Sequence, residues 1–383
     1  MPSESNSPSA ITNVTIVNVA VAVIHYQNQY LLGFRDAAQH QGNRYEFVGG
    51  KIEATETAEQ ALKREVAEET GILVDDNTIV KLGRLHHDYG DKQVSLQVYK
   101  IELTAQQYEQ YKGHEYGLEG QAITWADKSR LLAGDYPLPA ANKTILEWLR
   151  LPTQIAITYP LADFHQHTDP KTAWLQYHQE KLPPKSWAYI RLKHNGSESI
   201  AKQLMDARPD LLAILPYSSD YQYTDTEVSV EATHKKTNDS IVARHLTHSA
   251  LMEWLTNTQG VIASEPLLPD NYSFTCQLLA SHSLNDYPLI VSCHDTASID
   301  AVNKLASARI EQGLPPVIGM FLSPVLATQT HPDTVPLGWQ SWSSLAQLAD
   351  MPIIGLGGLA PSMIEQALDH GGLSIAGIRQ FHL

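Results

Sequence analysis

The sequence predicts a chain of two domains, an α+β domain followed by a (β/α)8 barrel. Its 383 residues exceed the roughly 100–200 residues of a single domain. The first part has long strand-like stretches around one helix, whereas after Gln154 short apolar runs alternate with helical stretches. Pro152 interrupts the pattern between the two parts. We therefore expect a disordered tail over 1–13, a first domain over 14–152 and a second over 153–383.

The elements of the first domain follow from its apolar patterns. Two runs rich in Val, Ile, Leu and Tyr flank Gln27-Asn28, and they predict two paired strands. A later apolar run predicts another strand, and two segments have helical spacing. The predicted strands are 15–26, 29–33 and 94–103. One predicted helix lies within 57–70, and the other spans 138–149.

Eight short apolar runs in the second half predict the eight parallel strands of a barrel. They are 155–159, 187–192, 211–215, 241–243, 289–293, 317–322, 353–357 and 374–378. Residues 260–264 could form a further strand, which would change the count. The polar segment 217–240 is expected to be a surface loop.

Few motifs bridge the junction between the first and the second domain, so the two halves are expected to fold separately.

Composition restricts the partners of this chain. With 27 Lys+Arg against 42 Asp+Glu the net charge is −15, which argues against binding to a nucleic-acid polymer. A small nucleotide remains possible, because bound divalent ions reverse the local charge. Two cysteines, Cys276 and Cys293, are too few for a disulfide framework. No signal peptide or membrane-spanning run is recognisable, so we expect a cytoplasmic protein.

One helix of the first domain carries three carboxylates on a single face. Thr57 and Gln60 form a capping box at its start, and Gly71 suits its left-handed end. The carboxylates are spaced i, i+3 and i+4, which brings them together. They are Glu65, Glu68 and Glu69.

A solvated acidic face is the ordinary alternative for such a helix, but the position of Glu69 argues against it. Glu69 falls almost on the stripe of Leu62 and Val66, which faces the core. Like charges at the edge of a core repel one another unless a cation neutralises them. Carboxylate oxygens suit Mg²⁺ or Mn²⁺, which also bind phosphates. The helix therefore predicts a metal site for a phosphate-bearing substrate.

This segment resembles the Nudix box and fills every position of it. In this chain the motif reads Gly50-x5-Glu56-x7-Arg64-Glu65-Val66-x-Glu68-Glu69-x-Gly71-Ile72. The resemblance implies an α/β/α sandwich that hydrolyses a nucleoside diphosphate linked to another group. It makes Glu65, Glu68 and Glu69 metal ligands or base, with Gly49 beside them at the metal. Glu56 and Arg64 are then structural, joined by a salt bridge.

Residues 14–150 resemble more specifically the MutT-type 8-oxo-dGTP diphosphatases. The resemblance makes Glu119, in Glu-Gly-Gln, a further metal ligand or base, and Asn142, in Pro-Ala-Ala-Asn, the residue that reads the purine. An N-cap role is the alternative for Asn142. The other expected substrate-binding residues are Arg35, Glu46, Phe47 and Lys51. Val48 departs from the usual Pro of the family.

The resemblance implies hydrolysis of 8-oxo-dGTP to the monophosphate and pyrophosphate, which sanitises the nucleotide pool. Two alternatives remain for the first domain: another nucleoside diphosphate derivative as substrate, or a Nudix-fold sensor without activity. Sensors of this fold commonly lack glutamates of the box, whereas this chain has all of them.

Residues 154–383 resemble the thiamin-phosphate synthase family, through Ser292-Cys293-His294, the 323–331 segment and Gly355-Leu356-Gly357-Gly358. Glycines after late barrel strands leave backbone N–H groups open to a small phosphate. The resemblance predicts such a site at Thr328, Thr330, Gly357, Gly358, Ala376 and Gly377.

The second half departs from that family at positions important for synthesis. Tyr189 replaces a Gln, Pro216-Tyr217 stand where an Asn-Asp pair is expected, and His331 replaces a Lys. Without the acidic residue and the Lys, loss of diphosphate has less electrostatic support. Three readings remain: an active synthase, which these departures disfavour, a phosphate-binding or regulatory module, or a structural domain.

Overall fold

The computed structural model describes residues 16–39, 41–89, 92–191, 198–217, 240–262, 285–329 and 333–383, with the backbone alone at 198 and 257–262. The predicted tail and most of the 217–240 segment therefore lie outside the described residues. Among the helices that are described, none is long and apolar enough to cross a membrane.

A seven-stranded mixed sheet forms the first half. Its longest strand, β1, pairs in parallel with β6 from Ile16↔Gln93 to His25↔Glu102 and antiparallel with β2 and β4. The strands are β1 (Ile16–Tyr26), β2 (Gln29–Arg35), β3 (Arg44–Glu46), β4 (Val48–Lys51), β5 (Ile79–Asp88), β6 (Gln93–Glu102) and β7 (Ile123–Asp127). The three strands predicted in this half are confirmed.

Helices cover both faces of this sheet, because side chains of β1 alternate between two cores. Ala20 and Ala22 face helix α1 (Ala58–Thr70), whereas Val21 and Val23 face the opposite core. That second core also contains α4 (Asn142–Leu149). The helices of this half are completed by α2 (Ala105–Tyr111) and α3 (Lys128–Ala133). The α/β/α sandwich implied by the resemblance is confirmed.

Helix α1 has the predicted ends. The Thr57 hydroxyl accepts from the Gln60 backbone N–H, the Gln60 side chain accepts in return, and Gly71 has a φ of 76°. Helix α4 instead starts four residues after the predicted 138, since Leu138 precedes Pro139 and a residue before proline disfavours helix. The segment before it runs beside β3, where the Tyr45 N–H donates to the Pro137 carbonyl over 2.9 Å.

The second half is a closed parallel barrel, with strands in sequential order around the circle. All eight predicted strands are present: β8 (Gln154–Ile157), β9 (Trp187–Tyr189), β10 (Leu212–Pro216), β11 (Ile241–Leu246), β12 (Leu289–Cys293), β13 (Val317–Leu322), β14 (Ile353–Leu356) and β15 (Ser374–Gly377). The helices outside it include α5 (Pro170–Lys181), α6 (Glu198–Ala207), α7 (His248–Ile262), α8 (Thr296–Glu311), α9 (Gly338–Ala346) and α10 (Ile364–Asp369). The further strand considered at 260–264 is wrong for 260–262, which end helix α7.

The two halves are packed together more tightly than the sequence suggested. Trp148 of α4 is 1% exposed, and its indole N–H donates to the Val317 carbonyl of β13 over 3.0 Å. Gly83 of β5 lies so close to Asp350 that an added Cβ would be 2.6 Å from the Asp350 carbonyl oxygen. One apolar core runs through this junction from the sheet into the barrel.

Candidate active site

Glu69 is the carboxylate most strongly influenced by its surroundings. The Gly49 backbone N–H donates to its Oε1 over 3.2 Å. Burial is the main cause that raises the pKa of Glu69 to about 7; the Gly49 hydrogen bond opposes this shift, and the charges of Glu46, Glu65 and Glu119 contribute to it. A buried carboxylate crowded by like charges favours a bound cation. The position of Glu69 at the edge of the core, expected from the helix pattern, is therefore observed.

Glu65 occupies the space that a side chain on Gly50 would fill. An added Cβ at Gly50 would be 2.1 Å from Glu65 Cδ. At Gly49, where φ is 153°, an added Cβ would be 2.1 Å from the Ala20 carbonyl oxygen. The two glycines thus allow β4 to lie close to both its partner strand β1 and the carboxylate helix.

Arg64 joins the loop to the helix through its guanidinium. It pairs with Glu56 at 2.6 Å, as expected for the structural salt bridge, and with Glu65 at 2.8 Å and Glu68 at 3.0 Å. It also donates to the Lys51 carbonyl over 3.1 Å. The hydrogen bonds that Arg64 donates to the carboxylates, above all to Glu56, raise its pKa, so it remains charged. Lys51 itself is exposed.

The acidic side chains fit a divalent metal by their chemistry. No group of three His, Cys, Asp or Glu side chains in the described part of the chain is arranged as a finished metal site. Two of the carboxylates, Glu65 and Glu68, are bonded to Arg64, and Glu69 is bonded to Gly49. All three offer hard oxygen atoms on one helix face, and the raised pKa of Glu69 shows that negative charge there is undercompensated.

Glu119 lies in a turn that is attached to the end of the carboxylate helix. The backbone N–H of Leu118 donates to the Glu69 carbonyl over 2.7 Å, and the Gln121 amide donates to the same carbonyl over 3.3 Å. Glu119 is exposed, yet it is close enough that its charge raises the pKa of Glu69. The structure thus places Glu119 near Glu69, on the same side as the carboxylates of helix α1.

Of the predicted substrate residues before the box, Arg35 ends β2, Glu46 ends β3 and Phe47 lies between β3 and β4. Arg35 forms an ion pair with Glu46. Burial raises the pKa of Glu46, while Arg35 opposes that shift. Phe47 is 4% exposed and belongs to the apolar core. Its ring therefore supports the β-strand carrying Glu46 from within.

Asn142 is the first residue of α4, and the N-cap position is Ala141. The capping role considered for Asn142 is therefore wrong, since no side chain caps this helix. Asn142 is 7% exposed, and among the described residues no hydrogen-bond partner of its side-chain amide is found. Its amide atoms are not among the fully buried polar atoms that lack a partner, so the amide remains accessible to a ligand or to water.

Tyr89, which no sequence pattern indicated as a site residue, lies beside the start of helix α4. Its hydroxyl is hydrogen-bonded to the Ala141 backbone, next to Asn142. Burial raises the pKa of Tyr89, and the charges of Arg35 and Arg44 lower it. A single aromatic residue after a strand gives no sequence signal of such a role.

In the barrel, Gly357 and Gly358 follow β14 with φ values of 99° and 71°. An added Cβ on Gly357 would be 3.2 Å from Thr328 Cγ2, so the structure brings Thr328 and the glycine pair together. Thr330 lies outside the described residues. Ala376 and Gly377 end the neighbouring β15, where the Phe381 ring covers Gly377.

A buried chain of hydrogen bonds crosses the barrel between three strands. The Tyr189 hydroxyl is 2.7 Å from His245 Nδ1, and His245 Nε2 is 2.7 Å from Ser292 Oγ. Burial lowers the pKa of His245 to about 3, so its ring is neutral near pH 7. The tyrosine that replaces the Gln of the synthase pattern is thus built into the barrel interior.

The comparisons with known proteins agree with this arrangement. The family model described as NUDIX domain matches residues 19–148. An 8-oxo-dGTP diphosphatase of Escherichia coli is 34% identical over 136 residues, which cover 35% of this chain and 98% of that relative. The chain belongs to the Nudix family. As a Nudix hydrolase it belongs to a class of enzymes that generally need a divalent metal.

Other relatives of this Nudix hydrolase differ in their activity. A CTP pyrophosphohydrolase of Escherichia coli is 33% identical over 132 residues, 34% of this chain and 90% of that relative. The second half matches the family model described as Thiamine monophosphate synthase over residues 291–381. There the chain is 32% identical over 60 residues to a putative thiamine-phosphate synthase 2 of Aquifex aeolicus, spanning 32% of that relative.

Proposed function

We propose that this chain hydrolyses 8-oxo-dGTP, or another oxidised purine nucleoside triphosphate, to the monophosphate and pyrophosphate. Such a reaction removes damaged precursors from the nucleotide pool. One relative, which this chain matches over 98% of that relative's length, is named 8-oxo-dGTP diphosphatase. We place the activity in the cytoplasm, because two cysteines in 383 residues suit a reducing compartment.

The observation that carries the proposal is the position of Asn142 at the start of α4, where its side-chain amide has no hydrogen-bond partner among the described residues. An amide offers one acceptor and two donors, so it can form two hydrogen bonds with a purine edge. Asn142 is 7% exposed at the start of α4, where Tyr89 fixes the adjacent backbone. Base recognition would occur here, while the glutamates act on the phosphates.

Mg²⁺ or Mn²⁺ is the metal that the carboxylate set favours. Glu65, Glu68, Glu69, Glu119 and the Gly49 backbone would hold it, and it would neutralise phosphate charge and lower the pKa of a bound water. The raised pKa of Glu69 favours a cation beside it, and a bound cation would hold Glu69 in its carboxylate form. Arg35 and Lys51 would counter the charge of the phosphate chain.

A second candidate is a different nucleoside triphosphate, such as a pyrimidine nucleotide. The CTP pyrophosphohydrolase matched over 90% of its length favours it. Purified full-length protein with Mg²⁺ should be offered 8-oxo-dGTP, dGTP and CTP, with pyrophosphate and phosphate measured separately. Our proposal requires the highest kcat/KM for 8-oxo-dGTP and release of pyrophosphate. A preference for CTP would establish the second candidate instead.

For the barrel we propose a site for a small phosphate without synthase activity. The glycine pair next to Thr328 supports the phosphate site. Tyr189, bonded to His245 inside the barrel, supports the loss of synthesis, because the Gln of the family pattern is absent. A bifunctional enzyme is the alternative. Formation of thiamin phosphate from its two precursors by the purified chain would establish that alternative.

A further inference from the structure

The two faces of the first sheet differ in what they contact. The core under helix α1 contains residues only of the first half, such as Leu62, Val66 and Ile101. The core on the opposite face contains Ile145 and Trp148 of α4 together with barrel residues such as Val317. The metal-binding side of the site is therefore packed apart from the barrel, whereas the nucleobase side is continuous with it.

Helix α4 connects the nucleobase side directly to the barrel. Asn142 is at its start, and Trp148, six residues later, donates to the Val317 carbonyl over 3.0 Å. Six helical residues span about 9 Å, and a helix of this length behaves as a rigid rod. A shift of Trp148 against β13 thus moves Asn142.

Strand β5 makes a second connection to the same barrel. Lys81 Nζ donates to the carbonyls of Gln347 and Ala349, over 2.8 and 2.9 Å, just after helix α9. The Arg84 backbone N–H donates to the Asp350 carbonyl over 3.2 Å. The Arg84 side chain also pairs with the Asp350 carboxylate at 3.0 Å. A cation at the end of a helix is favoured by the helix dipole.

These two connections converge at the nucleobase side. Strand β5 ends at Asp88, and the next residue, Tyr89, is hydrogen-bonded to Ala141, the N-cap of α4. The residues that we assign to base recognition are therefore braced by the barrel along both chain segments that carry them.

We propose that the barrel positions the nucleobase-reading elements of the Nudix site, with Trp148 and Asp350 as positioning residues. The inference rests on the proposed function, since it assigns base reading to Asn142. It gives the second half a role in hydrolysis that needs no ligand in the barrel. The carboxylate helix, packed in its own core, is not affected by the junction.

The test uses two separate variants of the full chain. Trp148→Phe keeps an aromatic ring but removes the indole N–H. Asp350→Asn removes the ion pair with Arg84. Asp210→Asn is the control, because it breaks the Arg208 ion pair at 2.8 Å elsewhere in the barrel. The values of kcat and KM for 8-oxo-dGTP and dGTP, and the melting temperature, are measured for each.

We expect both junction variants to lower the ratio of kcat/KM for 8-oxo-dGTP to that for dGTP by about 2- to 13-fold, the range for one hydrogen bond. The kcat for dGTP and its Mg²⁺ dependence should stay within about twofold. The control should leave the ratio unchanged. A lowered melting temperature with an unchanged ratio in both junction variants would overturn the proposal and leave the junction purely structural.

Failure of the proposed function would look different. If the wild-type chain prefers another nucleotide, the same variants are compared on that nucleotide and on an analogue that differs from it in the base. The positioning role then stands if the preference falls in the junction variants and fails if it does not.

Discussion

Gly50 and Glu65 are in contact through the space where a side chain on residue 50 would lie. The Glu65 carboxylate is held there by Arg64 at 2.8 Å, and a Cβ on residue 50 would be 2.1 Å from its Cδ. The glycine of the motif is needed because the carboxylate occupies its side-chain position, and not only because of a turn.

Gly50→Ala should therefore displace the Glu65 carboxylate. A misplacement of about 1 Å in a catalytic group costs on the order of 10²-fold in turnover, so we expect a loss of this size in kcat. Gly113→Ala is the control, because an added Cβ there has nothing within 4 Å. Equal activity of the two variants would show that Glu65 does not act from its present position.

Glu69→Gln should keep the fold and lower kcat by about 10²–10³-fold. The amide oxygen can still accept from Gly49, while the charge for the metal is lost. Glu59→Gln on the same helix is the control, since Glu59 only pairs with Lys63 at 3.1 Å. The measurements are kcat, metal affinity and melting temperature. Unchanged turnover with unchanged metal affinity would remove Glu69 from the site.

Asn142→Ala should reduce the preference for 8-oxo-dGTP over dGTP by about 5–150-fold, the value of a lost bidentate pair at roughly 1–3 kcal/mol. The melting temperature should change little, because Ala141 and not Asn142 is the N-cap. Lys143→Ala, at the exposed neighbouring position, is the control. Equal losses on both nucleotides would mean that residue 142 does not read the base.

His178 makes the stability of the barrel dependent on pH. Burial lowers its pKa to about 3, against 6.5 for an exposed histidine. Its Nε2 accepts from the Tyr159 N–H over 2.9 Å, which requires the neutral ring. Below pH 6.5 the unfolded chain takes up a proton that the folded chain does not, so stability present above pH 6.5 is lost as the pH falls toward 3.

At pH 5 this loss is about 2 kcal/mol for one such histidine. The fall in melting temperature between pH 7.5 and pH 5 should therefore be smaller in His178→Gln than in the wild type. His114→Gln, at an exposed position, serves for comparison and should behave as the wild type does. The same fall in all three proteins would mean that His178 is not buried as a neutral ring.

Inorganic phosphate should raise the melting temperature of the full chain if the barrel binds a small phosphate. Gly358→Asp should abolish that rise by placing a charge and a side chain at the site. Gly313→Asp carries the same strain, with a φ of 67°, but has nothing within 4 Å of the added Cβ. A wild-type chain that shows no phosphate-dependent rise would contradict the site.

The correct predictions from the sequence rest on local patterns. The eight barrel strands and helix α1 each have a self-contained signal, namely a short apolar run or a capping box with a closing glycine. The glutamates of α1 could be grouped because helical spacing alone brings them to one face. Such features need no knowledge of distant parts of the chain.

Long-range contacts explain what the sequence did not reveal. Tyr89 and Ala141 are far apart in sequence, and only the folded sheet brings them together. The start of α4 depends on Pro139, whose effect competes with the apolar pattern around it. The junction between the halves depends on backbone groups, such as the Val317 and Asp350 carbonyls, which carry no residue-specific signal.

Gly83 makes that junction recognisable in a sequence. Its backbone has no positive φ, but it lies at a register shift between β5 and β6. A glycine within a strand often marks such an irregularity or the close approach of another backbone. Here the approaching backbone is that of Asp350 in the barrel. We expect chains in which this barrel is docked to keep glycine at the equivalent position. A glycine at this position of the hydrolase domain is thus expected to indicate the presence of the second domain.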